Sequence, residues 1–316
     1  MICVNKPKKL IKNYVCIISS NIIMNCHTYK LLDWIDEKEI LSCWFLSANP
    51  NAIELLEKNP EKIDWPVLSS NRNAVHLLEK NPEKIDWFQF SMKSDAEHLF
   101  KKNPEKIQWD LLSQNPNAIH FLEKNKKRIY CENLSKNVNA LHILEKYPKR
   151  INWSHLSANP NAIHLLEKNP EKIDWERLSG NPNAIHLLEK NPEKIDWYEL
   201  SGNPNAIHIL ERNQEKIDWY ELSGNPNAIH LLERNQEKID WSHLSSNPNA
   251  IELLEKNPEK IIRFWFSKNP SIFTKKLNYK YLKKRMDLIR EELIMKCMNP
   301  SRLERWIEMG GDIDDF

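Results

Sequence analysis

Tryptophan returns every 22 residues through most of this 316-residue chain. Cys131 occupies the one internal position where the series is interrupted, and one further step at either end reaches Cys43 and Arg263. A period between about 20 and 50 residues is typical of solenoids and related arrays, so it constrains the fold more than any local motif does. The tryptophans in the series are Trp65, Trp87, Trp109, Trp153, Trp175, Trp197, Trp219 and Trp241.

The consensus W-x-x-L-S-x-N-P-N-A-I-H-L-L-E-K-N-P-E-K-I-D predicts two short helices in each period. The first helix starts at the tryptophan, because the preceding residue, such as Asp174, can accept hydrogen bonds from the exposed backbone N–H groups. Glu199 and Glu221 stand three residues after Asp196 and Asp218, which is the spacing of a capping box.

The second helix is predicted over about residues 182–190, with Asn181 as its N-cap and Pro182 at its first position. Asn191 can adopt the left-handed conformation that ends a helix, and Pro192 prevents simple continuation. No window alternates apolar and polar residues with a period of two, so strands are not predicted.

Helices this short are not stable alone, so neighbouring units must cover their apolar faces. We therefore predict an all-α fold, an α-solenoid of about ten two-helix repeats with helical caps. With neighbouring helices about 8–10 Å apart, the array would form a curved rod on the order of 90–100 Å long.

The periodicity divides the chain into four segments. Residues 1–26 are interpreted as an N-terminal extension that need not be ordered, and residues 27–42 as an N-terminal helical cap. The solenoid is predicted over 43–270, and 271–316 is interpreted as a C-terminal helical module that hides the apolar face of the last unit.

The N-terminal region has the order of a signal peptide, with lysines at 7–12 before an apolar stretch at 14–24. Polar residues at 19–21 interrupt that stretch, and it is too short to span a bilayer. The six cysteines form no CxxC motif, so no zinc knuckle or disulfide framework is indicated. We predict an intracellular protein, with a signal or anchor as the alternative and a start at Met24 left open.

The phrase LSxNPNAIHLLEKNPEKIDW resembles a short-repeat family abundant in giant DNA viruses of amoebae and algae, and the ending MNPSRLERWIEMGGDIDDF looks like tails of such proteins. The pattern is also similar, more weakly, to leucine-rich-variant repeats, which stack α- and 3₁₀-helices. The resemblance covers roughly residues 27–316. It implies an interaction or structural protein of viral origin, in the host cytoplasm or the virion, and supplies no catalytic residue.

Histidine occupies one slot of the repeat in eight units, and Glu54 and Glu252 fill that slot in outer units. A zinc ion needs imidazole nitrogens at about 2.0–2.1 Å, whereas equivalent residues of stacked helices lie about 10 Å apart. We therefore interpret the histidines as structural and predict neither a metal nor a cofactor. They are His76, His98, His120, His142, His164, His186, His208 and His230.

The tryptophans could offer stacking platforms for single-stranded nucleic acid. Cysteine replaces tryptophan at positions 43 and 131, however, and is a credible substitute in a core, so we predict a buried seam.

Asparagine holds the LSxN slot in ten of eleven units, with Lys93 as the exception. Caps and turns explain it, and an asparagine ladder between units is a further option. Glu97 stands where other units have an aliphatic residue, so the helix there must shift or expose it.

Partner specificity is predicted at the two positions after the tryptophan slot, because these residues differ from unit to unit. Tyrosine and arginine at such positions are typical anchors of protein interfaces. The candidate partner-binding stripe consists of Val67, Phe88, Gln89, Asp110, His155, Glu176, Arg177, Tyr198, Tyr220 and His243.

A lysine-rich segment at 268–285 is the candidate contact for an anionic partner.

Catalytic motifs are absent from the sequence, and the repeated acidic residues are copies, whereas an active site is a unique constellation. The sequence thus predicts a non-enzymatic, monomeric protein–protein interaction scaffold away from membranes. The alternatives are a module that binds nucleic acid or acidic surfaces through 268–285, and a structural virion component. The candidate anion-contacting residues are Lys268, Lys275, Lys276, Lys280, Lys283, Lys284 and Arg285.

Overall fold

The computed structural model describes residues 27–279 together with 281–283, 286, 287, 290 and 308. The predicted extension at 1–26 and most of the predicted C-terminal module therefore lie outside the described residues. The chain forms two compact bodies, one of residues 31–273 and one that combines 1–30 with 274–316.

Two strands form where the sequence predicted only helices. Strand β1 (His27–Leu31) pairs with strand β2 (Phe273–Leu277) in a two-stranded sheet. The prediction of no strands is therefore wrong at the start of the 27–42 segment and near the start of the 271–316 segment. Neither strand carries a local signal, because each backbone finds its hydrogen-bonding partner at the far end of the chain.

The remaining helical part confirms the predicted all-α solenoid. Residues 43–272 contain eleven repeats, which we number from repeat 1 at Cys43 to repeat 11 at Arg263. The helix at the tryptophan slot is called the A helix, and the helix after it the B helix. Repeat 1 has the 3₁₀ helix Trp44–Ala48 at the A position, and in repeat 11 strand β2 follows where a B helix would stand. The helix Glu37–Leu41 precedes repeat 1.

The A helices of repeats 2 to 11 are Trp65–Leu68, Trp87–Lys93, Trp109–Gln114, Cys131–Leu134, Trp153–Ser157, Trp175–Ser179, Trp197–Gly202, Trp219–Gly224, Trp241–Ser246 and Arg263–Lys268. The B helices of repeats 1 to 10 are Ile53–Lys58, Val75–Lys80, Glu97–Lys102, Ile119–Lys124, Leu141–Leu144, Ile163–Glu167, Ile185–Lys190, Ile207–Arg212, Ile229–Arg234 and Ile251–Glu255. In most repeats a 3₁₀ turn such as Pro192–Lys194 leads from the B helix to the next repeat.

Aspartate caps most A helices as predicted. In repeat 7, Asp174 Oδ1 accepts a hydrogen bond from the Arg177 N–H at 3.2 Å. The predicted capping box is wrong, because the backbone N–H of Asp196 donates instead to Ser179 Oγ of the preceding A helix, at 2.9 Å. The buried serine therefore takes the bond that Glu199 would have accepted.

The B helices start and end differently from the prediction. Asn181 Oδ1 accepts from the Asn183 N–H at 3.0 Å, and the B helix begins only at Ile185. Asn191 has φ −135°, so the predicted left-handed ending is wrong. Its side-chain amide donates to the Leu187 carbonyl at 2.8 Å, which satisfies a carbonyl at the helix end without a left-handed residue.

The tryptophans are only half-buried, so the predicted buried seam is partly wrong. In repeat 8, Leu200 and Leu210 are fully buried between the two helices, while the Trp197 ring lies at the edge of the core. The Lys216 ammonium lies 4.6 Å from the centre of that ring, so a lysine covers an aromatic face that would otherwise meet water. The same pairing occurs for Lys84 with Trp65, Lys106 with Trp87, Arg128 with Trp109, Lys172 with Trp153, Lys194 with Trp175, Lys238 with Trp219 and Lys260 with Trp241.

A ladder of buried asparagines joins neighbouring repeats, which confirms the option of an asparagine ladder. Asn203 is fully buried, and its side-chain amide donates to two carbonyls of the preceding repeat, Ser179 O at 2.9 Å and Asn181 O at 3.0 Å. Ser201 adds a second link, because its hydroxyl accepts at 2.9 Å from the backbone N–H of Asp218, the residue that caps the A helix of the next repeat. Both side chains are therefore fixed by backbone groups.

The ladder also joins the last repeat to the first. Asn49 of repeat 1 donates to Ser267 O at 2.9 Å and to Asn269 O at 2.8 Å, the same two bonds that Asn203 makes. The Phe45 and Phe264 rings lie 4.3 Å apart at this seam. The repeats therefore form a closed ring, and the predicted curved rod is wrong. Repeat 1 packs on repeat 11.

Closure follows from a small rotation at each step. Eleven equal steps complete a circle when each repeat turns by about 33° relative to its neighbour. Adjacent A helices pack closely, whereas adjacent B helices are farther apart, so the A helices form the inner wall of the ring. Helices spaced about 8–10 Å apart leave a central opening roughly 20 Å across once the width of the helices is subtracted.

We expect Asn49→Ala to loosen repeat 11 although the two sites are more than 200 residues apart in sequence. The substitution leaves two buried carbonyls without their donor, at a cost of about 1–3 kcal/mol. Amide hydrogen exchange should therefore become faster in residues 263–272. Asn137→Ala is the matched control, because its carbonyl partners Ser113 and Asn115 lie in repeat 4. Unchanged exchange at 263–272 in Asn49→Ala would contradict the closed ring.

Candidate interaction surface

The inner wall of the ring is formed by three positions of each A helix. Leu200 and Ser201 face the B helix and are fully buried. Successive helical residues are rotated by about 100°, so Tyr198, Glu199 and Gly202 point the opposite way. Because the B helices lie outside, the first, second and fifth positions after the tryptophan slot face the opening. We call these positions the ring lining.

All ten residues of the predicted partner-binding stripe lie in the ring lining. Phe88, Tyr198 and Tyr220 are about half exposed, at 54%, 50% and 48%. Asp110, Glu176 and Arg177 are exposed, and Val67, Gln89, His155 and His243 are half-buried. The structure thus places the variable residues of the repeats on one continuous inner surface.

Neighbouring lining residues contact one another. The Tyr198 hydroxyl donates to the Glu221 carboxylate, which raises the pKa of Tyr198 to about 12. The rings of Tyr220 and His243 lie 3.8 Å apart. Arg177 Nη1 lies 3.6 Å from Glu199 Oε1. The lining from repeat 7 to repeat 10 is therefore held by its own side chains.

Glycine at the fifth position after the tryptophan slot makes room for the glutamate of the next repeat. A Cβ atom added at Gly180 would lie 3.0 Å from Glu199 Oε2, and one at Gly202 would lie 3.3 Å from Glu221 Oε2. This close approach buries part of Glu199, and burial raises the pKa of its carboxyl even though Arg177 opposes the shift.

An aromatic cluster lies at the seam and was not predicted from the sequence. Trp44, Phe45, Phe264 and Trp265 occupy the first two lining positions of repeats 1 and 11. The Phe264 ring lies 5.1 Å from Trp44, Phe45 lies 5.6 Å from Trp265, and Trp44 is 47% exposed. These residues follow the 22-residue period, but Cys43 and Arg263 replace the tryptophans that mark the other repeats. Only ring closure brings the four rings together.

The ring lining has two chemically different arcs. Across repeats 11, 1, 2 and 3 its residues are mostly apolar, and Lys268 is the one charged residue among them. Across repeats 4 to 9 the described lining holds five carboxylates and two cationic residues, Lys136 and Arg177. Since five of the eleven repeat steps separate their midpoints, the arcs lie on nearly opposite sides of the opening. The apolar arc includes Phe264, Trp265, Trp44, Phe45, Pro66, Val67 and Phe88, and the carboxylates of the acidic arc are Asp110, Glu132, Glu176, Glu199 and Glu221.

The histidines of the repeated slot lie on the B helices, at the outer side of the ring. His208 Nε2 lies 3.0 Å from Glu189 Oε1 of the preceding repeat, with both side chains nearly half exposed. His120 has no such glutamate behind it because Lys101 occupies that position. Among the described residues no group of three or more His, Cys, Asp or Glu is arranged to hold a metal ion. The same histidine–glutamate contact joins His76 to Glu57, His98 to Glu79, His142 to Glu123, His164 to Glu145, His186 to Glu167 and His230 to Glu211.

The candidate anion-contacting residues are not all described. Lys268 is exposed at the end of the last A helix, and Lys275 and Lys276 are exposed on strand β2. Lys283 is exposed as well. Lys280, Lys284 and Arg285 lie outside the described residues.

Comparison with protein-family models, with curated proteins and with solved structures finds no match to this chain. Within the described part of the chain, no helix is long and apolar enough to cross a membrane.

Repeat 3 accommodates Glu97 through ion pairs. Lys101 Nζ lies 2.9 Å and Lys124 Nζ 3.2 Å from Glu97 Oε1, and the glutamate side chain is 25% exposed. The B helix begins at Glu97, the same slot as in the other repeats, so of the two predicted outcomes the helix does not shift and the glutamate is instead partly exposed. The hydrogen bond from Lys101 is the main reason that the pKa of Glu97 is lowered from its ordinary value of 4.5, against the opposing effect of burial.

We expect Glu97→Gln to destabilise the protein at neutral pH and to have little effect in acid. A lowered pKa in the folded state contributes stability that is present above the ordinary pKa and is lost as pH falls through the folded value. The difference in urea midpoint between wild type and variant should therefore shrink as pH falls from about 7 to about 3. Glu193→Gln, at an exposed connector residue, is the control. A difference in midpoint that is independent of pH would contradict the ion-pair account.

Proposed function

We propose that this chain is a non-enzymatic protein–protein interaction scaffold that binds its partner through the ring lining. The observation that supports this proposal is the exposure of large aromatic side chains at variable positions of an otherwise uniform wall. Trp44, Phe88, Tyr198 and Tyr220 are each about half exposed there. Large aromatic residues with exposed area are typical binding hot spots.

The contrast between the lining and the rest of the repeat adds support. The leucine, serine and asparagine positions of each repeat are buried and nearly invariant, because they build the wall. The lining positions carry none of that packing, yet they hold Tyr, Phe, Trp, Arg and Glu in different repeats. Chemical variety on a rigid frame is what selective recognition of a partner requires.

The same features favour a scaffold over an enzyme. The carboxylates of the lining recur at equivalent positions of successive repeats, whereas catalysis needs different groups assembled around one reacting atom. We further propose, from the resemblance of the repeat motif, that the protein is of viral origin and acts inside the host cell or in the virion, as a monomer.

Two other functions remain as proposals. Binding of nucleic acid or an acidic surface through 268–285 has the exposed Lys275, Lys276 and Lys283 in its favour. It predicts binding that weakens steeply with salt and survives lining substitutions. A structural role in a virion predicts instead that the protein is abundant in purified particles.

Site-specific photo-crosslinking tests the scaffold proposal. A photoreactive amino acid at Phe88 or Tyr198 should crosslink one or a few proteins in extract from cells that naturally make the protein. The same residue at Glu171 or Glu193, on exposed connectors between repeats, should give no specific product. Equal crosslinking at lining and connector positions would refute binding through the lining.

A further inference from the structure

We propose that the partner segment recognised by the ring lining is a basic amphipathic helix that enters the central opening. Its apolar face would lie on the apolar arc, and its lysine or arginine side chains would face the acidic arc. This inference rests on the proposed function and assigns a chemical class to the partner.

The apolar arc provides the anchoring side. Trp44 and Phe88 are about half exposed, and Phe264 packs beside Trp44 with ring centres 5.1 Å apart. Lys268 is the only charged residue in the lining of these four repeats. A surface of this composition gains most from contact with leucine, isoleucine or aromatic side chains, as on one stripe of an amphipathic helix.

The acidic arc provides the charge-recognising side. Its lining holds five carboxylates and two cations, and one of the cations, Arg177, already lies 3.6 Å from Glu199. Glu132 and Glu176 are exposed on this arc. Excess negative charge on a concave wall attracts cationic side chains and repels the phosphates of nucleic acid.

The size of the opening and the nature of its wall favour a helix. An α-helix with its side chains is about 10–12 Å across, and long basic side chains can reach over much of the remaining width of a roughly 20 Å opening. The wall is built of helices, and its buried carbonyls are paired within the array, as Ser179 O is by Asn203, so it offers an extended chain no strand edge to pair with. A helix satisfies its own backbone hydrogen bonds and brings only side chains to the wall.

Defined peptides test this inference with the full-length protein. The probe is a fluorescent Leu/Lys amphipathic peptide of about 18 residues, roughly 27 Å long as a helix. One comparison peptide replaces every Lys by Glu, and another scrambles the Leu/Lys order so that no apolar face forms. Fluorescence anisotropy should show that the Leu/Lys peptide binds at least about tenfold more tightly than either comparison, as expected for one or two lost anchors.

Matched variants locate the binding surface. Trp44→Ala with Phe88→Ser removes exposed rings of the apolar arc, and Glu132→Lys with Glu176→Lys reverses charge on the acidic arc. Each pair should weaken the Leu/Lys peptide by about tenfold or more, and the charge-reversal pair should strengthen the Leu/Glu peptide. The control Tyr147→Ser removes an exposed ring outside the lining, and Glu171→Lys with Glu193→Lys reverses connector charges. These controls should bind like wild type, and unchanged circular dichroism should show that every variant is folded.

Three results would overturn the proposed partner chemistry. They are no measurable binding of the Leu/Lys peptide, equal binding of the Leu/Glu peptide, or equal losses in lining and control variants. Displacement of the peptide by an oligonucleotide would count against it as well. If lining crosslinks still capture a protein, the scaffold function stands and only the partner class is wrong. If those crosslinks are also absent, both proposals fail.

Discussion

The buried asparagine amide is the interaction on which this architecture depends. A short helix leaves several backbone carbonyls without partners, and burying them unpaired would cost more than a short repeat gains by packing. Asn203 supplies donors to two such carbonyls of the preceding repeat, and Ser201 accepts from Asp218, which caps the A helix of the following repeat. Neighbouring repeats therefore complete one another, except between repeats 2 and 3, where Lys93 stands in the asparagine slot. This explains why these side chains recur while the lining changes. Asn49 makes the same bonds to repeat 11, so the carbonyls of the last repeat are paired as well and the array closes.

Features that arise within one repeat or between neighbours could be predicted from the sequence. Features that depend on the sum over all repeats could not. The period predicted the solenoid, Asp174 predicted the start of an A helix, and the recurrent asparagines left a ladder open as an option beside caps and turns. Closure depends instead on the sum of many small rotations, since an error of about 3° per repeat would displace the end of the array by a whole repeat. The strands were missed because β1 and β2 pair across nearly the full chain. The capping box failed because Ser179, in the preceding A helix, competes for the same N–H group.

The candidate site was predictable to the extent that it repeats. Tyr198 and Arg177 were recognised because they vary at a fixed distance from the tryptophan. The cluster of Trp44 and Phe264 was not recognised, because it lies where the marker residue is missing and where two ends of the sequence meet. The outer histidine–glutamate contacts recur with the same geometry in most repeats, and so do the lysines on the tryptophan faces. Both kinds of contact are exposed to solvent. The lining is where the ring departs from its own symmetry, so it is also where the proposed function is placed.

The seam differs from the other ten junctions of the ring in one respect. At those junctions the chain runs on from one repeat to the next, whereas repeats 11 and 1 are held together by non-covalent contacts alone. A long segment that passes through the opening is topologically confined, like a thread through a bead. It escapes by sliding out end first or when the seam opens. If bulky domains at both ends prevent sliding, the rate of seam opening sets the lifetime of the complex, whatever the affinity of the lining. Affinity and residence time can then be changed by different residues.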